Sequence, residues 1–149
     1  PREDSLIVLT GSVEQGGWSA PNPRSFVAHL LRDAGARYAL ENENRTGNIQ
    51  LSLESLYAMR EEVDALGLVI YEPDTANFKL ARWIQSNPHH AQIVPESGRV
   101  FAANAMTCDY FGWWVAHPDA MLRNLRNILY NESDLESEVC DPCFKWLTP

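Results

Sequence analysis

The sequence predicts a single α+β domain, an antiparallel sheet with helices packed on it. Three observations carry that reading. The chain has 149 residues, 45% of them hydrophobic and 21% charged, enough for one self-sufficient core. Short apolar runs bounded by turn residues read as strands. Apolar stripes at 3.6-residue spacing read as helices. The longest apolar runs, such as Phe111 to Ala116, are too short to cross a bilayer.

Leu6-Ile7-Val8-Leu9 reads as a buried strand closed by Gly11. The next stretch, Gly11 to Arg24, holds Gly16-Gly17, Pro21 and Pro23 and reads as a long loop, the kind that often carries function. Ser25 caps a helix whose stripe is Phe26, Val27, Leu30, Leu31 and Ala34. Arg37 to Glu41 and Asn48 to Ser52 both alternate, with turn chemistry between them, so a hairpin is expected. Ser52 opens a second helix through Leu53, Leu56, Tyr57, Val63 and Leu66, ended by Gly67.

Leu68-Val69-Ile70-Tyr71 is a strand that turns at Glu72 to Thr75, with Asn77 to Arg82 as its expected partner. Gln92 to Val94 and Arg99 to Ala103 suggest another hairpin. Residues 104 to 116 fit helix or strand equally. Pro118 suits the first turn of a last helix with Met121, Leu122, Leu125, Ile128 and Leu129 inward. Residues 5 to 72 thus run β-α-β-β-α-β, which resembles the ferredoxin-like order, and a hairpin-helix extension follows. Residues 1–131 form the expected domain, and 132–149 an acidic tail packing on it.

The net charge is −8, from 12 basic and 20 acidic residues. That field disfavours nucleic-acid phosphates and anionic membrane surfaces, and favours a basic protein partner. Three cysteines, Cys108, Cys140 and Cys143, with no secretory leader at Pro1-Arg2-Glu3-Asp4, predict a reducing, cytoplasmic setting.

Familiar catalytic motifs are absent. Gly11 and Gly16 have the spacing of a phosphate loop, but Gly17 stands where its lysine would be. No nucleophile elbow surrounds Ser12, Ser19 or Ser25. Cys140-x-x-Cys143 could grip zinc with His89, His90 or Cys108, yet a second clear ligand pair is missing, so no metal and no cofactor are assigned.

The expected function is therefore a non-catalytic protein-binding module: an inhibitor, adaptor or assembly subunit of the size an accessory phage or mobile-element gene encodes. One form of it blocks a nucleic-acid-binding machine. The expected binding residues are Trp18 in the long loop, Trp113 and Trp114, and the acidic rim Glu132, Asp134, Glu136 and Glu138, because exposed tryptophans anchor interfaces. The alternatives are a small metal- or His-dependent hydrolase using His89, His90 or His117 with Asp109 or Cys108, and an acidic winged-helix regulator over residues 52 to 82.

Overall fold

The structure, a computed structural model, describes residues 5–73, 78–131 and 143–148. Strand β1 (Ile7–Glu14) turns at Gln15-Gly16 into β2 (Gly17–Ala20). Both turn residues have positive φ, 49° and 81°, the geometry that matches the twist of paired strands. The stretch expected as a long loop is therefore mostly hairpin. Helix α1 (Phe26–Asp33) starts where expected, with the Ser25 hydroxyl accepting the Ala28 N–H at 3.2 Å. Strands β3 (Arg37–Tyr38) and β4 (Ile49–Leu51) follow, then α2 (Leu53–Met59), capped by Ser52.

Strand β5 (Ala65–Ile70) leads to α3 (Leu80–Ser86) and a 3-10 turn over Pro88–Ile93. Strand β6 (Val100–Asn104), the short α4 (Trp113–Ala116), α5 (Pro118–Tyr130) and β7 (Phe144–Trp146) complete the chain. Pro118 occupies the first turn of α5, and Met121, Leu125 and Leu129 are its buried residues.

The α+β class holds: one seven-stranded sheet carries several packed helices. The sheet is mixed, however, and the pairing differs from the expected hairpins. Its order is β4-β2-β1-β5-β6-β7, and β3 also pairs with β1. The pairs β3-β1, β1-β5 and β5-β6 are parallel. Strands β3 and β4 form no hairpin with each other, so the ferredoxin-like order is not formed: β3 joins β1 and β4 joins β2. Of the expected strand partner at 77–82, residues 80–82 instead begin α3, and β6 pairs with β5 instead of residues 92–94. That placement also removes the winged-helix reading, since β5 is a central parallel strand and not the edge of a wing.

Parallel neighbours need crossovers, and right-handed ones put helices on both faces. Thr10 points to the layer of α1 and α5, where it lines a gap with Leu30 and Leu125. Gly11, the next residue, points the other way. There the Trp18 ring lies over it and meets the His90 ring, which in turn meets Trp83. Burial on both faces explains the unbroken apolar text of Ala65-Leu66-Gly67-Leu68-Val69-Ile70.

Candidate functional site at the carboxyl ends of the parallel strands

The parallel strands lie in the order β3-β1-β5-β6, with connections departing in opposite directions from β1. In open sheets of this kind the natural crevice lies outside the carboxyl ends, where the direction of winding reverses. Here that point is between β1 and β5. The segments around it are the start of α1, the residues after β5 and the loop from β6 to α4.

This end gathers exposed apolar groups. Among the described residues the large exposed apolar side chains are Phe26, Tyr71, Met106, Phe111, Val115 and Trp146. Phe26 opens α1, Tyr71 follows β5, and Met106 and Phe111 sit in the β6–α4 loop. Tyr71, Met106 and Phe111 are 64%, 59% and 65% exposed, so none of the three is a core residue. The Phe111 ring stands edge-on to buried Tyr110, with centroids 5.0 Å apart.

The backbone beneath is pinned by one buried side chain. The Asn104 Oδ1 accepts the Glu72 N–H at 3.2 Å and the Met106 N–H at 3.1 Å. Its Nδ2 donates to the Glu72 carbonyl at 2.6 Å. One carboxamide thus ties the residue after Tyr71 to Met106 itself. Arg82 pairs with the Glu72 carboxylate at 3.1 Å. Further along, the Asp109 Oδ2 accepts the Trp113 N–H at 2.8 Å and closes the turn into α4. Cys108 is disulfide-bonded to Cys143, fastening the same loop to the residue before β7.

At the hairpin end of this side lies a polar depression of about 400 Å³, lined by Glu14, Gln15, Gly17, Gln50, Leu51 and Ser52. The Gln50 Nε2 donates to Ser19 Oγ at 3.1 Å and to Glu14 Oε2 at 3.3 Å. Among the described residues, a gap of about 10 Å³ lies beneath the apolar part, beside Thr10, Phe101 and Tyr110. That gap holds about one water.

Burial raises the pKa of two tyrosines, holding them protonated. Tyr110 is pushed up to about 12 by burial, with a smaller contribution from Tyr71. Tyr38 is also raised by burial, and its hydroxyl donates to the Pro21 carbonyl at 2.5 Å. The unfolded chain releases the Tyr110 proton near the ordinary value of 10.0, while the folded chain retains it. Stability is therefore full below pH 10 and falls as pH rises from 10 towards 12. The expected result is a late step in the 295 nm absorbance titration that Tyr110→Phe removes. An unchanged titration in that variant would refute the assignment.

The residues singled out by sequence are dispersed. Trp18 is fully buried in β2 and Trp114 is buried, so neither is an exposed anchor; Trp113 is half-buried. Trp113 stacks on the exposed His117 ring at 4.0 Å, and the His117 Nδ1 donates to its carbonyl. Glu132, Asp134, Glu136 and Glu138 lie outside the described residues, as does Cys140. His90 is buried, its Nε2 donating to the Gly17 carbonyl at 3.1 Å, and the His89 carbonyl accepts the Tyr57 hydroxyl. Asp109 serves as a cap and Cys108 as half of a disulfide. Among the described residues no three His, Cys, Asp or Glu side chains gather as metal ligands. Sequence reasoning passed over Tyr71, Met106 and Phe111. For Tyr71 the signal was an apolar side chain immediately after a strand, where a turn residue would be ordinary.

Two of the solved structures that share this fold are binding proteins. One is an ABC transporter substrate-binding protein from Listeria monocytogenes EGD-e, 13% identical, with a TM-score of 0.62 over 88% of this chain and 50% of that one. The other is a periplasmic binding protein from Veillonella parvula dsm 2008, 14% identical, with a TM-score of 0.63 over 87% of this chain and 44% of that one. The chain spans about half the length of each. No family model matches the chain, and no curated protein matches it in sequence. These neighbours overturn the expected inhibitor, adaptor or assembly module: the fold is one found in solute-binding proteins. Among the described residues no helix is long and apolar enough to cross a membrane.

Proposed function

We propose that this chain is one lobe of a solute-binding protein, and that the carboxyl ends of its parallel strands form one wall of the ligand cleft. The observation that carries the reading is the match of nearly the whole chain to about half of each of two binding proteins. A wall of this kind needs a second lobe opposite it, and each neighbour has roughly twice the matched length. Ligand sites in binding proteins favour domain junctions and the carboxyl ends of α/β strands, which is where the exposed apolar side chains gather. The Cys108–Cys143 disulfide favours an oxidising compartment over the cytoplasmic setting expected from the cysteine count.

A thermal-shift screen of the full chain against amino acids, sugars, nucleosides and small ring-bearing organic solutes tests this. Binding to the folded state alone raises the melting temperature with ligand concentration. The expected outcome is a solute whose shift is abolished in the double variant Tyr71→Ala, Phe111→Ala, with the unliganded melting temperature unmoved. A shift that survives in the double variant would place the site elsewhere, and the absence of a shift with every solute would sink the reading.

A further inference from the structure

The site just described presents its apolar groups in a fixed arrangement. Tyr71 and Met106 project from backbone tied together by the Asn104 carboxamide through the amides of Glu72 and Met106. Phe111 rests edge-on against buried Tyr110. The loop that carries Met106 and Phe111 is held again at Cys108 and Asp109. Exposed apolar side chains on loosely held loops would collapse on one another or onto the core. Here three attachments, at Asn104, Cys108 and Asp109, fix the backbone beneath the apolar groups, and such preorganisation is what a recognition surface requires.

We propose that Tyr71, Met106 and Phe111 form a platform for the ring system of a ring-bearing organic solute, and that Asn104 is the positioning residue that sets its two loops. The proposal rests on the reading of the chain as a solute-binding lobe and adds the chemical class of the solute. Two aromatic rings and a thioether offer what a flat π-system uses: offset or edge-on ring contact and sulfur at a ring edge. A flexible acyclic chain would gain only from apolar area, and a flat ring gains the directional contact as well.

The test uses N-phenyl-1-naphthylamine, an uncharged ring-bearing fluorophore, titrated into the full chain. Saturable binding is expected, weakened roughly tenfold by Tyr71→Ala and by Phe111→Ala and held within about twofold in Tyr71→Phe. In competition, 1-naphthalenemethanol should displace the probe at roughly one tenth the concentration of 1-decanol. In Asn104→Ala the amides of Glu72 and Met106 should exchange hydrogen faster while probe affinity falls about as far as in the platform variants.

Absent saturable binding, or binding equally tight in Tyr71→Ala and Phe111→Ala, overturns the platform. Decanol competing as well as naphthalenemethanol overturns the ring preference alone and leaves the solute-binding lobe standing. Probe affinity unmoved in a folded Asn104→Ala overturns the positioning role. The solute-binding reading fails by its own route, when no solute in the thermal-shift screen raises the melting temperature.

Discussion

Trp18→Ala is expected to lower the unfolding free energy by about 3–5 kcal/mol, the usual cost of emptying a buried tryptophan site. Trp18 is fully buried. Its indole lies over Gly11, where any side chain would meet it: a Cβ there would come within 2.5 Å of Nε1 and 2.3 Å of the Ser19 carbonyl oxygen. The indole N–H points to the Thr10 carbonyl at 3.4 Å, and the ring meets the His90 ring at 6.5 Å between centroids. Alanine would leave the His90 ring without that neighbour and open a void beside β1. Urea unfolding followed by far-UV circular dichroism measures the loss. A cost below about 1 kcal/mol would be too small for a filled core site and would contradict the placement of the indole.

Trp18 also marks where sequence and structure part. Gly16-Gly17, Pro21 and Pro23 in one stretch suggested a loop, and a tryptophan in a loop suggested an anchor. The competing signal was weaker but present: Val13, Trp18 and Ala20 keep strand alternation around Gln15-Gly16, a pair able to take positive φ. The caps were legible because they are local: Ser25, Ser52 and Pro118 each act within one turn of their own helix.

Strand partners were not legible, because parallel pairing joins segments far apart in sequence. Leu66 meets Val100 and Val8 meets Ala65, and nothing in a short apolar run names its partner. Successive runs therefore looked like hairpins. What could have pointed to a parallel centre is the unbroken apolar text of β5, which has no polar face to turn to water. The candidate site was illegible for the same reason. Tyr71 and Phe111 stand 40 positions apart in sequence and are brought to one end only by the β5-β6 pairing.

That pairing rests on a glycine, and the second large effect is expected there. In the β1-β5-β6 ladder Gly67 lies between Thr10 and Phe101. A Cβ on Gly67 would stand 2.6 Å from Phe101 Cζ and 3.1 Å from Thr10 Oγ1. The Phe101 ring has little room to retreat, since it is buried and meets Phe144 and Trp146 edge-on at 5.9 and 5.8 Å. Gly67→Ala should therefore cost about 1–3 kcal/mol through overpacking, despite the gain in strand propensity that alanine brings. Shortening the ring tests the cause. In a Phe101→Leu background the same substitution should cost less by about 1 kcal/mol or more, because neighbours in contact are not additive. Equal costs in both backgrounds would mean that the Phe101 ring does not lie across Gly67. The β5-β6 register, and with it the placement of Tyr71 beside the β6–α4 loop, would then be wrong.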